Sequence, residues 1–366
     1  MEPHRFQSQN IAPLLGNLNS QRSPDEAKAI LELFYDLPKA HVAPFGSGRV
    51  NQTFSVTIDG DIAYVLQRLN PRFGSDASLG LNLTLVHQAL EGQVGCPKLV
   101  LTQSGQPLAL DPQNSDVWRL STFVNGRPPL PRSINEAREA AAALGRTHYY
   151  LNNPKPILVT ALADDGDVTN QRLNTREDFQ CIAARYRGHP NLEAVLPELT
   201  RGMKNADWLP TRPSFCRIFL ARDLVIHRDS KRENFLAPPV GPMAIIDWDT
   251  VGFGDPMLDL GEMCRSFAVS PTKPHFDEQL AKALVDGYRQ TAPDLVLKNL
   301  NLLPAVIRGL ALNLARRYLT DSLAEVYFKW DQQAYPSLHA QNLSRGRLYL
   351  DLAEELLDRE IELMNI

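Results

Sequence analysis

Two short apolar runs, Leu224-Val225-Ile226 and Ala244-Ile245-Ile246, each end in charged residues, and this pair constrains the chain more than any other feature. The first leads into His227-Arg228-Asp229-Ser230-Lys231-Arg232-Glu233-Asn234. The second starts ten residues after Asn234 and leads into Asp247-Trp248-Asp249. Runs this short, bounded by polar residues, read as buried strands, and with Asn234-Phe235-Leu236-Ala237 they interrupt a second half that is otherwise helical in pattern. Polar side chains at strand ends lie where a site can form.

The chain has 366 residues, room for two domains with a cleft, and its 43% hydrophobic and 22% charged residues are the balance of a globular protein. A net charge of −4 supplies no broad cationic surface, so nucleic acid is not an expected partner and any anion must be held locally. Cys96, Cys181, Cys216 and Cys264 lie far apart with no CxxC pair, a pattern that suggests neither a zinc site nor a disulfide framework and reads as reduced, buried thiols. The start MEPHRFQSQNIAPLL lacks the basic region and apolar stretch of a signal peptide, and the most apolar helix candidate, LLPAVIRGLALNLA, is broken by Arg308. The expectation is a cytoplasmic protein with no membrane partner; no feature fixes its oligomeric state.

Residues 1–40 read as a helical lead, with Ser23-Pro24 and the acidic pair Asp25 and Glu26 as a helix start. From Val42 to Leu69 the apolar-alternating runs FSVTI and IAYVLQRL, parted by Asp59-Gly60-Asp61, predict an antiparallel hairpin. A helix through Leu79, Leu83, Val86 and Leu90 follows, then three strand candidates, PKLVLT, QPLAL and VWRLSTFV. The turn Asn125-Gly126-Arg127-Pro128-Pro129 marks a boundary, because INEAREAAAALGRTHYYL beyond it is rich in helix formers. The expected class is α+β: a small antiparallel sheet over 41–125 and a larger, mainly helical domain over 126–366, with long connecting loops in 151–175.

Residues 227–234 fit H-R-D-x-x-x-x-N, the loop pattern of phosphoryl transfer in kinases, at every specified position. That chemistry needs a carboxylate to orient a hydroxyl and accept its proton, and a neutral amide oxygen to ligate Mg²⁺ without excess charge. Asp229 and Asn234 supply these. Lys231 is placed to neutralise the γ-phosphate as its bond breaks, and His227 to hold the loop. Asp247 takes the second metal position, in role and order like a D-F-G aspartate, although Trp248 follows it. Were the strand to continue, Asp249 would point to the same side and support metal or substrate; a turn carboxylate is the alternative.

Upstream, Gly46-Ser47-Gly48-Arg49-Val50-Asn51-Gln52 precedes the hairpin, where Gly46, Ser47, Gly48, Arg49 and Asn51 form a candidate lid over phosphates; glycines let backbone N–H groups come close to an anion. Tyr64-Val65-Leu66-Gln67-Arg68 stands where a V-A-I-K lysine would, but has none. Alternation lets only one of Gln67 and Arg68 face the phosphates; charge favours Arg68, and Gln67 stays open. The next helix offers Asn82 and Glu91 but no mid-helix glutamate as a partner.

In GSGRVNQTF, YVLQRLN, the hinge-like VWRLSTFV, HRDSKRENF and IDWDTVGFGDPMLDLGEMCR the chain resembles the aminoglycoside phosphotransferase and choline kinase superfamily, and within it the N-acetylhexosamine 1-kinase type. Weaker similarity continues through Arg317-Tyr318-Leu319-Thr320-Asp321, Tyr327-Phe328 and residues 342–347, so that it spans about 41–350. The resemblance implies a protein-kinase-like two-lobed fold, with a nucleotide-binding N-lobe over 41–125 and a catalytic and acceptor-binding C-lobe over 126–366. It implies ATP and Mg²⁺ as cofactors, adenine held by backbone groups of Ser121, Thr122, Phe123 and Val124, and an acceptor pocket made by the C-terminal helices. By analogy Arg317 and Tyr327 contact the acceptor; a helix-surface arginine and a core tyrosine are the alternative. The strand without lysine is itself a feature of the subgroup. Trp248, where a smaller aliphatic residue is usual, and Gly254-Asp255-Pro256 depart from it.

The expected function is transfer of the γ-phosphate of ATP to a hydroxyl of a small metabolite, a sugar or amino sugar. The alternatives are an aminoglycoside- or choline-type kinase, whose cationic acceptors call for carboxylates or aromatics, and a non-catalytic nucleotide-binding regulator of the same fold. The mixed charge of DQQAYPSLHAQNLSRGRLY favours a neutral sugar. A protein kinase is disfavoured, since no A-P-E segment follows Asp247 and FGDPMLDLGEMCRSF passes directly into a helix.

Overall fold

The alternation over residues 52–68 produces the predicted hairpin: β2 (Gln52–Ile58) and β3 (Asp61–Arg68) pair antiparallel across a turn in which Asp59 and Gly60 take φ of 52° and 97°. Two left-handed residues give the turn a twist that matches the strands, which explains the Asp-Gly pair. The computed structural model describes residues 21–46, 51–70, 77–157, 172–269, 275–292 and 297–363. Within it β1 (His41–Pro44), β4 (Leu99–Val100), β5 (Ala109–Leu110) and β6 (Val117–Thr122) complete an antiparallel sheet of order β1-β2-β3-β6-β4, with β5 also on β6. The helix of the 1–40 lead, α1 (Pro24–Tyr35), begins as expected, with Ser23 and Glu26 capping each other's backbone N–H groups. It is more than a lead: Ala27, Ile30, Leu31 and Tyr35 share one buried cluster with Phe54, Val56, Leu66, Trp118 and Leu120. A buried side chain the size of Ile30 or Leu31 contributes about 1.5–3 kcal/mol, and α1 supplies four of the twelve buried residues of this core.

The chain divides into two compact units, 1–81 with 98–123 and 82–97 with 124–366. Residues 82–97, which hold most of α2 (Ala77–Leu90) and were expected to belong with the sheet, join the larger unit because Gly95 bridges Ala244 in parallel and accepts a 2.8 Å bond from the Ile245 N–H. A Cβ at 95 would lie 2.6 Å from that of Ala244, so only glycine permits the approach.

The larger unit is helical: α3 (Ile134–Asn152), α4 (Arg176–Arg185), α5 (Leu192–Asp207), α6 (Pro213–Leu220), α7 (Pro256–Phe267), α8 (Glu278–Arg289), α9 (Leu303–Ala324) and α10 (Leu338–Asp358). At its centre α9 is buried along almost its whole length and packs along α10, while α3 packs on α8. The Arg308 that interrupts α9's apolar run is itself buried, donating 2.6 Å to the Trp208 carbonyl and pairing with Glu360. Among the described residues no helix is long and apolar enough to cross a membrane. The three short strand candidates are β7 (Leu224–Ile226), β8 (Phe235–Leu236) and β9 (Ala244–Ile245); β8 pairs with β9, and β7 pairs with an unexpected β10 (Gly252–Gly254). Gly-Phe-Gly carries no strand signal of its own, and it is ordered by its partner. The cysteines are all free, but only Cys264 is buried: Phe179 and Ile182 take the inward side of α4 and leave Cys181 exposed. Most of the loop expected in 151–175 lies outside the described residues.

Candidate active site

Strand β7 ends at Ile226, and the backbone then bends sharply, with Arg228 at φ 67°. Such a conformation is costly for a residue with a Cβ and persists only where surrounding bonds impose it. They come from Asp259 on α7, fully buried, whose Oδ2 accepts from the His227 N–H at 2.7 Å and whose Oδ1 accepts from the Arg228 N–H at 2.9 Å. His148 of α3 donates from Nε2 to Asp259 Oδ2 at 3.1 Å, and its Nδ1 accepts from the Tyr288 hydroxyl at 2.7 Å. The Ser230 hydroxyl donates to the Asp259 carbonyl at 2.7 Å. Burial opposes ionisation of Asp259, yet the His148 bond and the two N–H donors hold its carboxyl below the usual range. Burial pushes the Tyr288 hydroxyl well above its ordinary value, so it stays a donor.

Asp229, Lys231 and Asn234 come together on this anchored loop. Lys231 Nζ contacts Asp229 Oδ2, and Asn234 Nδ2 donates to Asp229 Oδ2 at 3.0 Å and to the Asp229 carbonyl at 2.7 Å. Asn234 thus spends its amide N–H groups on the base and keeps its carbonyl oxygen. Asp247 Oδ2 lies 3.9 Å from the same Lys231 Nζ. Although burial works against a charged Lys231, Asp229 and Asp247 hold its ammonium well above the ordinary lysine value. It remains a cation among carboxylates.

Of the two alternatives for Asp249, a continued strand or a turn carboxylate, the structure shows the turn, since the strand stops at Ile245. Asp247 takes φ 66° and residues 248–250 form a tight helical turn, so Asp249 does not share a strand face with Asp247; it is buried in the turn. Trp248, the departure noted from sequence, packs on the His227 ring at 4.5 Å and donates from Nε1 to the Ile245 carbonyl at 3.0 Å. His227 in turn donates from Nε2 to the Ile246 carbonyl at 3.0 Å, leaving Nδ1 to accept from the Asp229 N–H at 3.2 Å, and Thr250 donates to the His227 carbonyl at 3.0 Å. These are holding roles, as expected for His227.

Among the described residues no three His, Cys, Asp or Glu side chains are grouped to hold a metal. Asn234 and Asp247 offer oxygen alone, a donor set that suits a hard cation keeping water and phosphate as its other ligands. The Asp247 side chain is 40% exposed; lost hydration at the crowded loop, with repulsion from Asp249 and Asp229, raises its carboxyl above the ordinary range, a crowding that a divalent cation would relieve.

In the sheet unit the alternatives at 67 and 68 separate. Arg68 lies on the face shared by Leu66 and α1, 8% exposed, with Nη2 2.8 Å from Asp116 Oδ1; Arg22 holds the other oxygen at 2.6 Å. The charge that favoured Arg68 is thus engaged in an internal ion pair on the α1 face of the sheet. Gln67 takes the opposite face, its Oε1 accepting from Arg119 Nη2 at 2.7 Å across the β3–β6 pairing. Arg119 went unnoticed because nothing in VWRLST distinguishes it. The N–H groups of Thr122 and Phe123 donate within the sheet, to the Lys98 and Ala63 carbonyls at 2.8 and 2.9 Å, so neither is available to adenine. Gly46 sits at φ 71° and the Asn51 side chain accepts from the Asn70 N–H at 2.9 Å; Ser47, Gly48 and Arg49 lie outside the described residues. Arg317 and Tyr327 meet, Nη2 donating to the phenol oxygen at 2.6 Å.

Asp259, His148 and Tyr288 were missed. The available signal was Asp259 in the apolar stretch Met257-Leu258-Asp259-Leu260, a carboxylate on a helix with no polar face to receive it.

A model of the APH family, the phosphotransferase enzyme family, matches residues 41–293. Among solved structures, a microcompartment-associated aminopropanol kinase is similar with a TM-score of 0.62 at 16% identity, over 92% of this chain and 98% of that one. An aminoglycoside phosphotransferase from Alicyclobacillus acidocaldarius gives 0.61 at 15%, over 96% and 99%. An amicoumacin kinase in complex with AMP-PNP and Ca²⁺ gives 0.55 at 15%, over 85% and 87%. At these identities the likeness is one of fold, and the fold is the expected α+β, two-lobed, kinase-like one.

Proposed function

Because the chain belongs to the APH phosphotransferase enzyme family, we propose that it is a cytoplasmic small-molecule kinase that moves the γ-phosphate of ATP, with Mg²⁺, to a hydroxyl of a sugar or amino sugar. The observation that carries this reading is Asp229, held between Lys231 and Asn234 on a loop whose backbone N–H groups are fixed by Asp259. Asp229 orients the acceptor hydroxyl and takes its proton as the bond to phosphorus forms. Lys231 keeps its own proton and offsets charge on the transferred group. Asn234 and Asp247 hold Mg²⁺, which when bound neutralises charge on the phosphates. Residues 41–125 serve the nucleotide: the lid segment from Gly46 to Asn51 covers the phosphates, Gln67 with Arg119 replaces the missing lysine, and adenine uses Val124 and the carbonyls beside it. Asp249 supports the metal turn.

The test is ADP release by the purified protein with ATP and Mg²⁺ against sugars, amino sugars, choline and aminoglycosides. Turnover is expected with a sugar. Turnover confined to choline or aminoglycosides would contradict the acceptor class, and ATP binding without turnover by any acceptor would contradict the kinase.

A further inference from the structure

The catalytic loop runs beside α7: below the Ser230–Asp259 bond, the Arg232 N–H donates to Ser266 Oγ at 2.9 Å. Between these two contacts α7 carries Glu262 and Arg265, both buried and joined Nε to Oε2 at 2.9 Å. A run of rings continues from Arg265. Its guanidinium lies 5.3 Å from the Tyr349 ring centre, Tyr349 is parallel to Tyr318 at 5.8 Å, and Tyr318 stacks on Phe328 at 4.0 Å. Arg345 stands over Tyr318 at 5.7 Å, as Arg317 does over Tyr327 at 4.9 Å.

Aromatic faces are what a quaternary or primary ammonium seeks, but here each tyrosine face is already taken by one of the protein's own guanidiniums. The nearby carboxylates are also spent. Glu262 serves Arg265, and Asp321 accepts from the N–H groups of Val326, Tyr327 and Phe328 and from Asn342. The surplus is of the opposite sign. Arg345 is half-buried, its hydrogen bonds go to two neutral phenols, the Tyr318 hydroxyl at 3.4 Å and that of Tyr335, and it meets no carboxylate among the described residues.

We propose that the acceptor is a sugar bearing an anionic group, a carboxylate or a phosphate, and that Arg345 over the stacked Tyr318 recognises it. This rests on the kinase reading above and narrows its acceptor. A guanidinium presents a planar fork of donors that matches either anion, and half-burial beside aromatic rings strengthens the contact relative to open water. The same group repels aminoglycosides and choline.

The test is calorimetric binding to the full chain with AMP-PNP and Mg²⁺, using glucuronate, glucose 6-phosphate, glucosamine and choline. Glucuronate or glucose 6-phosphate is expected to bind tightest, the order of the two telling carboxylate from phosphate. Arg345→Gln should weaken that ligand by at least about tenfold while AMP-PNP binding is unchanged, and Arg345→Lys should restore part. Glucosamine or choline binding as tightly, an Arg345→Gln protein with unaltered anion affinity, or no binding of any of the four overturns the proposal. The kinase reading fails separately, if a bound acceptor is never phosphorylated.

Discussion

The catalytic loop and the end of the β3–β6 pair both assemble polar side chains, but by opposite rules. In the loop, the positive φ angles of Arg228 and Asp247 fold the chain back on itself, so residues close in sequence gather at one point: Asp229, Lys231, Asn234 and Asp247. In the sheet the backbone is straight, so Gln67 and Arg68, adjacent in sequence, are parted to opposite faces. Sequence adjacency thus predicts spatial adjacency at a bend and denies it along a strand. What holds each region differs as well. The bend at 227–228 is held by one buried carboxylate, Asp259, whereas Arg68 belongs to an ion-pair set shared by Arg22 and Asp116.

The largest effect expected from this contrast is at Asp259. Replacing it by Ala strands two backbone N–H groups and His148, and should cost about 3–5 kcal/mol in urea unfolding; a loss below about 1 kcal/mol would mean the loop is held by something else. Acid should act through the same group. Because its folded value is depressed, Asp259 contributes stability that is fully present above about pH 4 and is lost as pH falls through the folded value. The urea midpoint should therefore drop more steeply below pH 4 in the wild type than in Asp259→Asn, and parallel curves would contradict the anchor.

In the sheet, Arg68→Ala should cost about 1–3 kcal/mol and leave ATP affinity almost unchanged, since Arg22 still serves Asp116. Gln67→Ala should do the reverse, releasing Arg119 and weakening ATP with little change in unfolding. An Arg68 variant that lost nucleotide while keeping its stability would reinstate the assignment that its charge suggested. The smallest effect belongs to Trp248→Phe, which keeps a ring against His227 but drops the bond to the Ile245 carbonyl, about 1 kcal/mol by urea unfolding.

How much was legible follows from the same contrast. The hairpin, the strands at 99–122 and the helix start at Ser23 are written in alternation and capping residues, which act locally. The loop residues were legible because spacing at a bend encodes position. Asp259, His148 and Tyr288 were not, because their meaning lies in bonds to residues 29 or more positions away. Strand β10 has no intrinsic preference to read, and the face taken by Arg68 depends on Asp116, which no motif marks.

The most direct test is to compare wild type and Asp229→Asn for ATP affinity and for phosphate transfer to the acceptor that the wild type uses. Turnover falling by about 10²–10⁴ with ATP affinity retained is the predicted result; a mutant that turns over like the wild type would show that Asp229 is not the base and that the site's chemistry lies elsewhere.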